Sequence, residues 1–225
     1  WQQALAETRR VQRLPEQQGR FFNGNDLQRV QLFAIAKHSN PQQALAELNT
    51  MLARAEKQPD NDERVADILY QRALVYADKL RQPERAVADL RRYLKLNPNS
   101  AGGMNALGYT MLSQPSADLD EAFGLIQAAY QIEPESAAIN DSMGWAYFKK
   151  GDPQAALPYL QYAFEQYPDP EVAAHLGEVL WATGEHEQAR AVFAKGLAGE
   201  GNMAVLRETI KRLGVRLPAA SNAKK

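Results

Sequence analysis

The sequence predicts an all-α protein, a right-handed superhelix of stacked helix–turn–helix hairpins, and two observations carry this prediction. Apolar residues recur at spacings of three and four along most of the chain, which is the period of one face of an α-helix. The hairpin pattern over residues 137–168 also recurs upstream and downstream of itself. Because a single hairpin cannot bury its apolar face alone, recurrence indicates a stacked array whose neighbours complete the core.

The hairpin over residues 137–168 is two amphipathic segments joined by the turn Gly151-Asp152-Pro153. Gly151 suits the left-handed conformation just past a helix end. Asp152 can cap the next helix, and Pro153 fits its first position, where no backbone N–H is needed. The second segment places one residue set on a single face at spacings of four, three and four, namely Ala156, Leu160, Ala163 and Tyr167.

Glycines mark equivalent points of three hairpins. Gly108, Gly144 and Gly177 lie 36 and 33 residues apart, and the longer interval arises because residues 113–118 lengthen one inter-helix turn. The hairpin of Gly144 matches the small-residue, aromatic, alanine and terminal-proline signature of the tetratricopeptide repeat (TPR), whose period is about 34 residues, through Gly144, Tyr147, Ala156, Leu160, Ala163 and Pro168. Met143 stands where this signature has leucine. The resemblance predicts first helices that line a concave side.

The rest of the chain divides around these hairpins. Asn40-Pro41 repeats the cap-then-proline start, and Arg72 stands where the repeat has a large apolar residue. Asn202 to Leu213 is expected to form a last amphipathic helix whose charged face suits the solvated end of an array. We predict a truncated repeat helix and loop at 1–25, two degenerate repeats at 26–98, three clear repeats at 99–199, a capping helix at 200–216 and a disordered tail at 217–225.

Composition excludes several functions. The net charge of −1 over 225 residues gives no global basic footprint for nucleic acid. The absence of cysteine excludes disulfides, thiolate metal sites and cysteine nucleophiles. No run of about 18 apolar residues is present to span a bilayer. The chain begins at Trp1 without an initiator methionine or a signal-like segment, so we interpret it as a piece of a longer protein.

Motifs that carry chemistry are missing. His38, His175 and His186 lie at no metal-ligand spacing, and we expect surface or packing roles for them. Neither a nucleophile elbow nor a phosphate-binding loop occurs. We therefore expect no enzymatic activity, no metal site and no cofactor.

The predicted concave wall carries the candidate binding residues. In this repeat family the groove is lined by first-helix positions just after the small residue, three and four residues later, and one turn earlier. These positions are Asn105, Tyr109, Leu112, Asp141, Trp145, Phe148, Lys149, Glu178 and Trp181. Leu112, Phe148 and Trp181 are equivalent and should form one apolar strip. Charges of both signs beside the strip favour a polypeptide partner over a polyanion. Packing between neighbouring first helices remains the alternative role for the aromatic residues.

Three runs of sequence carry a more specific resemblance: Asn105–Thr110, Asn140–Trp145 and Ala174–Trp181. They resemble the C-terminal part of a proteobacterial family of large TPR lipoproteins of the outer membrane. One kind of member is an adaptor that binds a periplasmic carboxyl-terminal processing protease and delivers cell-wall hydrolases to it. The resemblance implies a non-enzymatic scaffold on the periplasmic face of the outer membrane, anchored through a lipid upstream of Trp1.

Two other functions remain open at this point. One is an assembly factor, similar to a pilotin, for a pilus or secretion machine that uses the same groove. The other is the recognition arm of an enzyme whose catalytic domain lies outside this sequence.

Overall fold

Eleven α-helices and one π-helical segment make up the computed structural model, which describes residues 3, 6, 24–37, 39–116 and 118–217. No strand occurs among the described residues, so the predicted all-α class is confirmed. The helices are α1 Gly24–Ala36, α2 Pro41–Ala55, α3 Asp62–Leu74, α4 Pro83–Leu96, α5 Ala101–Leu112, α6 Leu119–Ile132, α7 Ala137–Lys149, α8 Pro153–Gln166, α9 Pro170–Ala182, α10 His186–Ala198 and α11 Ala204–Arg212. None of the described helices is both long and apolar enough to cross a membrane.

The chain divides into two compact units, residues 1–115 and 116–225. The first unit contains α1 to α5, in which α1 packs on α2 and α3, and α3 packs on α4. Its core is formed by residues at helical spacing on these faces, including Leu32, Ile35, Leu48, Ile68 and Leu69. Of the predicted repeat helix and loop at 1–25, the structure describes only residues 3, 6, 24 and 25, and the histidine at position 38 lies outside the described residues.

The second unit contains α6 to α11. Here α7 pairs with α8, α9 pairs with α10, and α11 closes the unit against α9 and α10. Leu160, Leu176, Val179, Phe193 and Leu206 are fully or almost fully buried in its core. The last helix spans Ala204–Arg212, within the predicted segment, and the tail from 218 onward lies outside the described residues.

The small residues of the repeats are required by close packing inside each hairpin. A Cβ atom added at Gly144 would lie 2.5 Å from Cγ of Leu160 and 2.9 Å from the carbonyl oxygen of Ala156. At Gly177 the added atom would meet the ring of Phe193 at 2.2 Å. Glycine at these positions therefore lets the two helices of a hairpin approach each other.

Turn and cap predictions are confirmed where the structure describes them. Gly151 adopts φ of +87°, and Asp152 accepts a hydrogen bond from the backbone N–H of Ala155 at 2.9 Å. Asn40 caps α2 through its side-chain oxygen. The lengthened turn is also present, because α5 ends at Leu112 and α6 begins at Leu119 after its cap, Asp118.

Helix α3 does not continue as a regular α-helix to the turn before α4. It begins at Asp62 and passes into the π-helical segment Val75–Lys79. Ala86 lies thirteen positions after Ala73, whereas Ala156 lies twelve positions after the equivalent Gly144. A π-helical turn holds more residues than an α-helical turn, so this segment absorbs the extra residue and keeps the hairpin in register.

Arg72 stands where the repeat pattern has an apolar residue, and its guanidinium is paired with a carboxylate on α4. Its guanidinium contacts both carboxylate oxygens of Asp89 in α4 at 2.6 and 2.7 Å and donates to Oδ1 of Asn49 at 2.8 Å. The side chains are 15% and 6% exposed for the arginine and aspartate, so the pair is largely desolvated. This buried ion pair replaces the expected apolar contact between α3 and α4.

Candidate partner-binding site

The predicted groove residues lie in both units. The first unit holds Asn105, Tyr109 and Leu112 on α5. The second unit holds Asp141, Trp145, Phe148, Lys149, Glu178 and Trp181 on α7 and α9. The structure brings most of the second set into one connected cluster.

Helix α7 displays its candidates on one face because they follow at spacings of four and three. Asp141, Trp145 and Phe148 continue one stripe, and Lys149 lies beside its end. The start of this helix is held by Asn140, whose side-chain amide donates to the carbonyl oxygens of Pro134 at 2.7 Å and Ser136 at 2.9 Å. These bonds satisfy carbonyl groups of the preceding turn and fix where the stripe begins.

Asp141, the first residue of this stripe, forms a buried pair with a histidine on α9. Nδ1 of His175 in α9 lies 2.9 Å from Oδ1 and 3.0 Å from Oδ2 of Asp141. The two side chains are 4% and 10% exposed. Burial alone would lower the pKa of His175, but the charge and hydrogen bond of Asp141, with smaller effects of Glu171 and Glu178, raise that pKa above its ordinary 6.5.

Trp145 is held in place by this pair. Its indole stacks on the imidazole of His175 with ring centroids 4.2 Å apart and planes 19° apart. On its own helix, the ring of Phe148 is 5.4 Å away and the ammonium of Lys149 lies 5.5 Å above the indole. Trp145 nevertheless remains half-buried, so part of this residue is exposed to solvent.

Glu178 and Trp181 lie on α9 but contact α11 and α10 instead of the Trp145 cluster. Oε2 of Glu178 accepts from Nη2 of Arg212 in α11 at 2.5 Å, which ties the last helix to α9. Trp181 contacts α10 through the ring of His186, 4.2 Å away, and the guanidinium of Arg190, 5.4 Å away. Trp181 also packs against the core of the second unit, so much of its surface is used within the fold.

The three candidates on α5 are in different environments. Leu112 is 1% exposed, so its side chain packs in the core and presents no surface to a partner. Tyr109 and Asn105 are half-buried. Oδ1 of Asn105 is buried and accepts no hydrogen bond from any described residue. The first unit thus leaves one polar atom on α5 without a partner.

The geometry of His175 and Asp141 also bears on catalysis. An aspartate–histidine pair is part of a hydrolytic triad, in which the imidazole must face a nucleophile that reaches the substrate. Here the imidazole is buried and covered by the indole of Trp145. Among the described residues, no group of three or more histidine, cysteine, aspartate or glutamate side chains could hold a metal ion. The contacts that the pair makes are with the indole of Trp145, whose position the pair fixes.

Sequence reasoning missed the pairing of His175 with Asp141 and assigned the histidine only a general surface or packing role. The signal that could have found it is the separation of 34 residues, which is one repeat period. Residues one period apart lie at similar heights on neighbouring first helices. The pair Glu178 and Arg212 has the same separation.

The fold and these sites define a helical-repeat protein, and comparisons with known proteins specify the repeat. Sequence models of the tetratricopeptide repeat match residues 67–100 and 142–202. The chain thus contains tetratricopeptide repeats over these residues, and the matched models describe a repeat and not an enzyme family. Because this repeat is a protein-binding element, the chain is of the class of protein-interaction scaffolds.

One relative and several solved structures are similar to the chain. It is 43% identical over 147 residues to the TPR repeat-containing protein PA4667 of Pseudomonas aeruginosa, a match that covers 65% of this chain and 25% of the relative. A thermophilic TPR protein of Thermus thermophilus aligns with TM-score 0.63 and 22% identity, over 82% of this chain and 94% of that chain. Pseudomonas aeruginosa pilF aligns with TM-score 0.59 and 21% identity, over 85% of each chain. These structural likenesses show the shared fold.

Proposed function

We propose that the chain is a non-enzymatic adaptor that holds a polypeptide against the Trp145 surface, formed by Trp145, Phe148 and Lys149. The observation that carries this proposal is the fixed and partly open indole of Trp145. Its face toward the core is stacked on His175, so binding a partner requires little ordering of the side chain. Tryptophan anchors with rigid surroundings are typical of the few residues that dominate an interface.

The charges around the surface favour a polypeptide ligand. Lys149 is exposed beside Trp145, and on the neighbouring helix the carboxylate of Glu178, which is 11% exposed, is paired with Arg212, which is 53% exposed. A mixture of both signs complements the mixed charges of a peptide and opposes a uniform polyanion. This agrees with the even balance of 26 basic and 27 acidic residues in the whole chain.

The partner we propose is a cell-envelope protease with its substrates, at the periplasmic face of the outer membrane. The support is the resemblance of the runs around Asn105, Asn140 and Ala174 to TPR lipoproteins of that compartment. The chain spans a quarter of the length of its curated relative, so the activity of the longer protein enters only as this proposal. A likeness of fold alone does not favour the assembly-factor alternative.

A capture experiment with matched baits tests the proposal. The tagged chain, its Trp145→Ala variant and its Gln161→Ala variant are incubated with detergent-solubilised envelope extract and, separately, with a purified carboxyl-terminal processing protease. Gln161 is exposed on α8, away from the cluster, and serves as the control. We expect the protease on the wild-type and Gln161→Ala baits and its depletion on Trp145→Ala. Equal recovery on all three baits would show that the Trp145 surface is not the binding site. No binding of the purified protease would show that this protease is not the partner.

A further inference from the structure

One end of the second unit collects the turns at which α6, α8 and α10 end and α7, α9 and α11 begin. Packed helices joined by short turns run antiparallel, so alternate turns lie at the same end. The hydroxyl of Tyr162 on α8 donates to the carbonyl oxygen of Glu135 at 3.3 Å, which joins the first two turns. A Cβ atom added at Gly201 would lie 3.3 Å from Cδ of Pro170, which joins the last two. We call this end the acidic edge, formed by residues 132–136, 165–171 and 195–207.

Negative charge predominates on the acidic edge. Its carboxylates are those of Glu133, Glu135, Glu165, Asp169, Glu171 and Glu200, whereas its cations are Lys195 and Arg207. The carboxylates that belong to exposed residues and form no ion pair with any described residue are Glu133, Glu135, Glu165 and Glu200. The ammonium of Lys195 lies 4.8 Å from the ring centre of Phe164, against an aromatic face. The edge thus presents an excess of uncompensated negative charge.

Exposed apolar side chains lie on the same edge. Among the described residues of the second unit, the large hydrophobic residues that are exposed are Ile132 and Tyr167, at 49% and 62%. Ile132 is the last residue of α6, and Tyr167 directly follows the last residue of α8. Tyrosine is enriched at protein interfaces, and the face of its ring also attracts cations. The edge therefore combines apolar contact area with negative charge.

The spacing of the carboxylates favours a polypeptide over a metal ion. Within the part of the chain that the structure describes, no group of three acidic, histidine or cysteine side chains could hold a metal ion. The exposed carboxylates are instead distributed over three successive turns. A segment in which basic residues alternate with apolar residues can place each cation near a different carboxylate, and this is the charge complementarity of a protein interface.

We propose that the acidic edge binds a basic segment of a partner polypeptide. Lysine or arginine side chains of that segment pair with Glu133, Glu165 and Glu200, and its apolar side chains cover Ile132 and Tyr167. The acidic edge shares no residue with the Trp145 surface, so this proposal does not depend on the function proposed above.

Short labelled peptides test the proposal on the whole chain by fluorescence anisotropy. In the probe peptide lysine alternates with leucine, and its two controls replace every lysine by glutamate or every leucine by serine. We expect saturable binding of the probe and affinity weaker by about tenfold or more for both controls. Added salt should weaken binding of the probe because it screens exposed charges. Equal binding of either control, or binding of the probe that salt leaves unchanged, overturns the proposal.

Neutralising variants locate the binding. The double variant Glu133→Gln, Glu165→Gln should weaken binding of the probe about fivefold or more, and Tyr167→Ala should weaken it as well. The matched control is the double variant Glu185→Gln, Glu187→Gln, which removes the same charge at the start of α10, at the other end of the hairpins. An equal loss in the two double variants, or no loss in the first, would contradict binding at the acidic edge.

A second copy of the chain is the other occupant that the experiment distinguishes. Analytical ultracentrifugation compares the chain alone with its Glu133→Gln, Glu165→Gln variant, and we expect the two to sediment identically. Salt-sensitive dimers that are lost in the variant would assign the acidic edge to self-association and overturn the proposal.

Discussion

The indole of Trp145 and the imidazole of His175 lie face to face, with centroids 4.2 Å apart, on neighbouring first helices. The imidazole in turn is held by the carboxylate of Asp141, four residues before Trp145 on the same helix. The side chains of Asp141, His175 and Trp145 thus link α7 to α9 through a continuous series of contacts. A charge on the imidazole would strengthen this connection, which makes the stability of the second unit dependent on pH.

The stability of the protein should fall as the pH rises above 6.5. The pKa of His175 is raised in the folded state, so the folded state binds the proton more tightly than the unfolded state. The stabilisation is therefore complete below the unfolded pKa of 6.5 and is lost as the pH rises through the folded pKa. Urea unfolding at a series of pH values between about 6 and 9 measures this loss.

Two variants assign that pH dependence to the pair. His175→Gln should flatten the dependence over this window, and the same substitution at the exposed His186 is the matched control. In Asp141→Asn only burial and the more distant carboxylates act on the imidazole. Because burial lowers the pKa of His175, we expect the slope to shrink or reverse. A slope that survives in His175→Gln would place the responsible group elsewhere.

Two glycines within helices should respond in opposite directions to the same substitution. Gly144→Ala introduces a methyl group 2.5 Å from Leu160 and should lower the free energy of unfolding by about 1–3 kcal/mol through overpacking. Gly124→Ala on α6 meets no atom within 4 Å and should raise it by about 0.5–1 kcal/mol, because alanine is the better helix former. Paired denaturation curves check both values. Similar effects of the two variants would mean that the close approach of α7 and α8 is not what requires Gly144.

The buried pair Arg72 and Asp89 should be costly to break on one side only. Arg72→Leu leaves the carboxylate buried without its partner and should cost about 3–5 kcal/mol of unfolding free energy. The double variant Arg72→Leu, Asp89→Leu removes both charges and should recover most of that loss. Arg92→Leu breaks the exposed pair with Glu56 and should cost less than about 1 kcal/mol. Additive losses in the double variant would mean that the two charges are not coupled.

Local features of the fold could be predicted from the sequence because their causes are local. The left-handed Gly151, the caps Asn40 and Asp152 and the small residue Gly144 each follow from the conformation or contact of one short segment. Helix boundaries shifted by a few residues, as at Gly24, because termini depend on which backbone groups find partners in three dimensions.

The polar pairs could not be predicted in the same way. A sequence pattern shows which face of a helix is apolar, but it does not show that Arg72 meets Asp89 or that His175 meets Asp141. Such pairs join separate helices, and their choice depends on rotamers and on the depth of each side chain. The repeat period restricts this choice, since residues about 34 positions apart lie side by side. Pairing charged residues at a separation of 34 would have proposed three of the observed pairs, because Arg29 and Glu63 share it with the two pairs above.

The two tryptophans of the candidate site should separate binding from stability. Trp145 is partly exposed and stacked on His175, so Trp145→Ala should weaken binding of the proposed partner about tenfold or more, the effect of losing one aromatic anchor. Trp181 packs against the core and α10, so Trp181→Ala should mainly lower the melting temperature. Titration calorimetry and thermal unfolding of both variants, with Gln161→Ala as the control, measure the two quantities. If Trp145→Ala loses stability yet binds the partner normally, the indole is a packing residue and the binding surface lies elsewhere on the chain.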